Sequence, residues 1–200
     1  MTTLTLEHVS IDTLHDIGFA VGAGEVVCLS GPSGSGKSRL LRAIADLEAH
    51  DGRIFLEDRE QGAVPAHDWR RQAMMVPADS QWWFDEVGAH FSGAPEWPPV
   101  LGLSREVLAW PVSRLSSGER QRLALMRALH YGPRALLLDE PTANLDEAMT
   151  QAVEGWLLEE IHTRQLPVIW VAHDTGQIRR VASRHYRIHG ATLEQVHGRH

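Results

Sequence analysis

Cysteine is nearly missing from this chain: Cys28 is the only one in 200 residues. No internal disulfide is available, and the composition suits a reducing compartment. Lysine is equally scarce, because Lys37 is the one lysine among 19 basic residues and the rest are arginine. No run of about 18 apolar residues occurs, so no segment is expected to cross a bilayer. The opening MTTLTLEHVSIDTL lacks the basic start and apolar core of a secretory signal. A formal net charge of −7 leaves no dominant basic face to neutralise phosphates, which argues against nucleic acid as a partner. The 12 histidines are scattered without ligand spacing and read as solvated or core residues. No internal repeat or low-complexity tract is visible. What remains is 43% apolar, enough for the core of one domain over residues 1–200.

A chain that otherwise uses arginine keeps its one ammonium inside GEVVCLSGPSGSGKSRLLRAIADL. Val26–Leu29 read as a buried strand. Arg39–Leu47 read as an amphipathic helix with Leu40, Leu41, Ile44 and Leu47 inward. Between them Gly31, Pro32, Ser33, Gly34, Ser35, Gly36, Lys37 and Ser38 match the phosphate-loop pattern G-x-x-x-x-G-K-[ST] without a mismatch. Glycines allow backbone N–H groups to form an anion-binding nest, and the following helix adds its positive end. Lys37 can then reach the β- and γ-phosphates, while the Ser38 hydroxyl ligates Mg²⁺. A plain Gly/Ser turn is the bland alternative. The strand and helix flanks favour a nucleoside triphosphate site.

ALLLDE at residues 135–140 supplies the carboxylates. An apolar run ends in Asp139, placed to help hold Mg²⁺, and Glu140 follows directly as a candidate general base. Upstream, RLSSGERQRLALMRAL at residues 114–129 opens on a Ser/Gly-rich turn. It continues as a helix with Leu123, Leu125, Met126 and Leu129 inward.

Taken together these motifs resemble the ATP-binding-cassette (ABC) ATPases. GPSGSGKS and LLLDE are similar to that family's Walker A and Walker B motifs, and LSSGE at Leu115–Glu119 stands where it has its signature. ANLD at Ala143–Asp146 resembles the D-loop, and His173 in VIWVAHD resembles the switch histidine. The resemblance implies an α/β P-loop fold and an ATP- and Mg²⁺-dependent ATPase. It also implies a head-to-tail dimer, with itself or a related subunit, and a separate membrane permease. The chain would then sit in the cytoplasm, peripheral on the inner face of the cell membrane. In such a dimer Ser116, Ser117, Gly118 and Glu119 would cap the partner's γ-phosphate, and Asp146 would connect the two sites. Glu140, His173 and Lys37 would serve catalysis, and the phosphate loop through Arg39 would hold ATP.

Three features depart from that family. The segment HVSIDTLHDIGF is short and has no tyrosine or tryptophan to stack on adenine, leaving Ile11 or His15 as weak substitutes. Ser117 replaces a glycine of the signature. Ala78 stands where the Q-loop glutamine is expected, with Gln81 three residues later as a substitute if the loop bends. Trp82, Trp83 and Phe84 follow at once. They either grip a helix of the permease or pack under a small helical subdomain, taken as residues 84–113.

The expected architecture has an N-terminal β-rich portion with strands near 3–9, 25–30 and 52–57. A mostly parallel core sheet would carry strands near 26–30, 73–77, 135–139 and 167–172, with helices on both faces. Two short strands are expected near 185–189 and 192–196, with no appended regulatory domain. The leading function is the motor of an ABC transporter. The alternatives are a slowly hydrolysing nucleotide-gated binding module and a soluble ABC ATPase acting outside transport.

Overall fold

The computed structural model describes residues 2–196. In chain order the strands are β1 (Leu4–Ile11), β2 (Leu14–Val21), β3 (Val26–Ser30), β4 (Asp51–Leu56), β5 (Arg59–Glu60), β6 (Ala73–Val76), β7 (Ala135–Asp139), β8 (Val168–Val171), β9 (Arg184–His189) and β10 (Thr192–Gln195). The α-helices are α1 (Lys37–Ile44), α2 (Ala66–Gln72), α3 (Ser117–His130), α4 (Glu147–Arg164) and α5 (Thr175–Val181). One sheet has the order β2-β1-β4-β5 and is antiparallel; the other has the order β10-β9-β3-β8-β7-β6. Within the second sheet every pairing is parallel except the β9–β10 hairpin.

Side chains alternate across a strand, so each parallel strand feeds two cores. Val26, Cys28, Leu136, Leu138, Val168 and Trp170 face a core shared with α3, α4 and α5. Val27, Leu29, Leu137, Ile169 and Val171 face a second core shared with α1 and the antiparallel sheet. Continuous apolar runs such as VVCL and ALLL are what a parallel sheet covered on both faces requires. Each fully buried aliphatic side chain contributes about 1.5–3 kcal/mol. Together they fix the positions of the loops at the C-terminal ends of β3, β7 and β8.

Several expectations need correcting. No strand is foreseen over 14–21, yet Leu14, Ile17, Phe19 and Val21 are buried along β2, which completes the antiparallel sheet. Residues 26–30 lie only in the parallel sheet and not in the N-terminal β portion. Helix α1 begins at Lys37 and ends at Ile44, leaving Leu47 outside it and 48% exposed. The stretch 84–113 contains no α-helix. It forms 3-10 turns at Val87–His90, Pro99–Leu101, Arg105–Ala109 and Val112–Arg114. Pro95, Pro98, Pro99 and Pro111 remove the amide donors a longer helix needs. Backbone bonds from Val87 N–H to Trp110 O (3.0 Å) and from Val112 N–H to Asp85 O (2.7 Å) close the segment on itself. Val87, Phe91, Leu101 and Val107 then join the first core. Among the described residues no helix is long and apolar enough to cross a membrane.

Candidate functional site

The loop after β3 is shaped by close approaches that only glycine permits. Gly36 has φ 97°, and a Cβ there would lie 3.0 Å from Leu14 Cδ1 in the β1–β2 hairpin. A Cβ on Gly31 would lie 3.1 Å from Ile188 Cβ. Lys37, only 6% exposed, curls back so that Nζ donates to Gly31 O (2.9 Å) and Pro32 O (2.8 Å). Burial pulls its pKa down, opposed by the nearby charges of Glu140 and Asp139. Pro32, Ser33, Gly34 and Ser38 are exposed at the loop surface, and the Ser35 hydroxyl is buried without a partner. Arg39 turns its guanidinium to Asp12 and Glu48, so only its backbone faces the helix N-terminus.

Asp139 ends β7 with 6% exposure. Burial pushes its carboxyl up; the Ser38 hydroxyl works against that shift, and the charge of Glu140 adds to it. Its Oδ1 is buried and has no hydrogen-bond partner among the described residues. An orphaned carboxylate oxygen beside a serine hydroxyl suits a hard cation with oxygen ligands. No group of three or more His, Cys, Asp or Glu among the described residues could hold a metal by itself. The donor set therefore fits Mg²⁺ shared with phosphate oxygens, as this ion prefers.

Glu140 adopts φ 48°, unusual for a residue with a side chain, and its N–H reaches Val171 O at 3.2 Å. Such a conformation costs on the order of 1–3 kcal/mol and persists because the surroundings enforce it. It aims the carboxylate across the sheet, where His173 Nε2–H donates to Oε1 at 2.8 Å. The two line a cleft of about 400 Å³ with Thr142, Asp174, Gln177 and Arg180. Lys37, Asp139, Glu140 and His173 thus stand at or just beyond the C-terminal ends of β3, β7 and β8, which lie side by side in the sheet. Open α/β sheets bind ligands at this edge.

The serine-rich turn behaves differently. Ser116 is the N-cap of α3. Its N–H donates to Glu119 Oε2 (2.8 Å), its hydroxyl donates to the same oxygen (2.7 Å), and the Glu119 N–H donates back to Ser116 Oγ (3.3 Å). These bonds from Ser116, its backbone N–H first, hold the Glu119 carboxyl below its usual range. Ser116 and Ser117 are exposed. No side-chain hydrogen bond among the described residues joins residues 116–119 to the phosphate loop. Gly118 instead rests on the turn after β7: a Cβ there would lie 3.1 Å from Asn144 O and 3.2 Å from Leu145 Cδ2. Asp146 accepts from Met149 N–H at 2.9 Å, capping α4.

Ala78 is exposed, and Gln81 turns away: its side-chain amide donates to Asp79 O (3.4 Å), while its backbone carbonyl accepts from Arg127 Nη2 (3.0 Å). The adjacent tryptophans divide. Trp82 packs against the first core, whereas Trp83 is 62% and Phe84 50% exposed. Two residues that the sequence does not single out organise them. Buried His90 accepts the N–H groups of Trp83 and Phe84 at Nε2 (3.0 Å each). The Arg127 guanidinium lies 4.3 Å and 4.8 Å from the ring centroids of Trp82 and Trp83. Both positions look ordinary in sequence, because their role arises only when the loop folds over α3. At the β1–β2 turn, Ile11 is buried and His15 is exposed.

The family model of the ABC transporter matches residues 14–143. The chain is 37% identical over 190 residues to the Fe(3+) ions import ATP-binding protein FbpC of Streptomyces coelicolor, covering 86% of this chain and 53% of that protein. It is 35% identical over 203 residues to the Sulfate/thiosulfate import ATP-binding protein CysA 1 of Chromobacterium violaceum, covering 92% and 56%. The chain therefore spans about half the length of these curated relatives. Among solved structures, a bacterial Atm1-family ABC exporter with ATP bound is similar at TM-score 0.82 and 25% identity, covering 96% of this chain and 38% of that one.

Proposed function

The chain belongs to the ABC transporter family, and we propose that it is an ATP-hydrolysing subunit that drives a separate membrane permease. The observation that carries this reading is the convergence of Lys37, Asp139, Glu140 and His173 at one sheet edge, with Asp139 Oδ1 buried and without a hydrogen-bond partner among the described residues. Bound ATP with Mg²⁺ supplies the γ-phosphoryl group and the charge neutralisation that hydrolysis needs. Lys37 exchanges two backbone carbonyls for phosphate oxygens, and Ser38 with Asp139 holds the metal. Glu140 accepts the proton of an attacking water, and His173 orients Glu140 through their hydrogen bond.

The exposed α3 N-terminus at Ser116, Ser117 and Gly118, with Glu119 and Asp146 nearby, supports a head-to-tail dimer in which a second copy or related subunit completes the site. Exposed Trp83 and Phe84, beside the 84–113 subdomain, supply an aromatic surface for a helix of the permease. The protein would then work peripherally on the inner face of the cell membrane, without nucleic acid. A steady-state ATPase assay on the wild type and Glu140→Gln tests the reading, with loss of turnover in the variant expected. Equal slow turnover in both would favour the second reading, a nucleotide-gated binding module. The exposed Ala78 methyl and the turned-away Gln81 amide support that alternative.

A further inference from the structure

Beneath the cleft that holds Glu140 and His173 lies a polar network that the catalytic account leaves unused. Glu154 on α4 is 2% exposed, an unusual place for a carboxylate. Its Oε1 accepts from Gln177 Nε2 (2.8 Å) and Arg180 Nη2 (3.0 Å), and its Oε2 accepts from Arg180 Nε (2.7 Å). Gln177 Nε2 also donates to Thr142 Oγ1 at 2.7 Å. Gln177 and Thr142 are buried as well, each below 9% exposure.

These bonds join two turns. Gln177 stands in the first turn of α5, where its N–H donates to Asp174 Oδ1 at 2.6 Å, and Asp174 directly follows His173. Thr142 lies two residues after Glu140, and its carbonyl accepts from Leu145 N–H at 3.1 Å. The His173-bearing turn and the Glu140-bearing turn are therefore connected twice. The exposed connection is the His173–Glu140 hydrogen bond itself; the buried one is Gln177–Thr142, with Glu154 holding the Gln177 amide in place. The exposed bond must loosen whenever Glu140 takes a proton or meets water. The buried bond need not change, so it can keep the two turns at a fixed separation through the cycle.

We propose that Gln177, oriented by Glu154, is a positioning residue for hydrolysis: it holds the histidine turn against the Glu140 turn without touching nucleotide. This rests on the ATPase reading above. Its energetic logic is that a buried amide nitrogen with both N–H groups engaged, and a buried carboxylate with both oxygens engaged, define one geometry, because a displaced arrangement leaves a buried polar group unpaired.

The test uses the purified 200-residue chain with Gln177→Leu, Thr142→Val and Thr142→Ser. ATP affinity is read by a fluorescent ATP analogue, hydrolysis by phosphate release, and local order by amide hydrogen exchange. Gln177→Leu and Thr142→Val are expected to lower kcat by up to about 100-fold, the scale that a misplacement of about 1 Å costs, with ATP affinity changed by less than about threefold. Thr142→Ser keeps the acceptor oxygen and is expected to retain wild-type kcat. Exchange at the Leu145 and Gln177 amides should rise in the first two variants, while the α1 amides stay unchanged. Unchanged kcat in Thr142→Val, or equal loss in Thr142→Val and Thr142→Ser, overturns the proposal. Should Gln177→Leu fail to fold, the Thr142 pair differs only in the acceptor and decides alone. A wild type that binds ATP without hydrolysing it defeats the motor reading. The exchange pattern then still decides whether the Gln177 link holds the turns: unchanged Leu145 exchange in Thr142→Val overturns it.

Discussion

The phosphate loop and the serine-rich turn are both glycine-containing loops that open a helix, yet the chain treats them in opposite ways. The first is packed against the β1–β2 hairpin and Ile188, with its lysine 6% exposed and its metal-side carboxylate buried. The second projects Ser116 and Ser117 outward, anchored by buried Leu115 before them and by Gly118 against the turn after β7. Both keep their donors occupied internally: Lys37 on Gly31 and Pro32 carbonyls, Ser116 on the Glu119 carboxylate. Ligand capture at either loop is thus an exchange of hydrogen bonds rather than a gain of new ones, and the net effect is smaller than the gross bond strength. The difference lies in who supplies the surroundings. The first loop has the buried Asp139 carboxylate of its own chain beside it, while the second faces solvent.

The comparison breaks most visibly at Lys37. Lys37→Ala is expected to weaken nucleotide binding by about 100-fold or more, since a charge-assisted contact to phosphate is lost, whereas Ser116→Ala leaves affinity in the monomer unchanged. Titration with a fluorescent ATP analogue separates the two. Next comes Glu140→Gln, expected to lower hydrolysis by about 10²–10⁴-fold, the usual contribution of a general base. Size-exclusion chromatography with ATP should show this variant as a dimer, and the double variant with Ser116→Ala as a monomer. Gly118→Ala should be intermediate, destabilising by about 1–3 kcal/mol in denaturant unfolding as the new methyl meets the Asn144 carbonyl.

A smaller effect sharpens the contrast on the second loop. Glu119→Gln keeps the capping-box geometry but removes the negative charge at the helix N-terminus, and is expected to cost about 0.3–1 kcal/mol at neutral pH. Because the folded carboxyl is held below its usual value of 4.5, its contribution is complete above that pH and fades as the pH falls below it. Thermal melts of wild type and variant should therefore converge in acid. Smallest of all is Cys28, whose thiol burial, with Glu154 nearby, pushes up to about 12. A native sample at pH 8 should not react with iodoacetamide over hours, while the urea-unfolded chain should react readily.

Much of this was legible where local sequence and tertiary role coincide. Val26–Ser30, Ala73–Val76 and Ala135–Asp139 announce buried parallel strands by unbroken apolar runs, and the phosphate loop carries its chemistry in consecutive residues. Strand β2 was less legible because Gly18 and the polar His15 and Asp16 interrupt an alternation that starts at Leu14. Leu47 looked inward because periodicity continues past Ile44, although the helix stops one turn earlier. The 84–113 segment has apolar residues enough for helices, but its prolines leave 3-10 turns. Glu154, Gln177, His90 and Arg127 carry no pattern at all. Gln177 meets Glu154 and Thr142 across 23 and 35 residues, Arg127 meets Trp82 across 45, and His90 reaches back to the loop before it, so only the folded chain brings these groups together.

The solitary lysine has a practical consequence. Apart from the α-amino group, an acylating reagent meets one primary amine in these 200 residues, and that amine is tucked over the Gly31 and Pro32 carbonyls of the phosphate loop. The extent of its acylation, read by mass spectrometry, therefore works as an occupancy gauge for that loop, with no engineered tag and no background from surface ammonium groups.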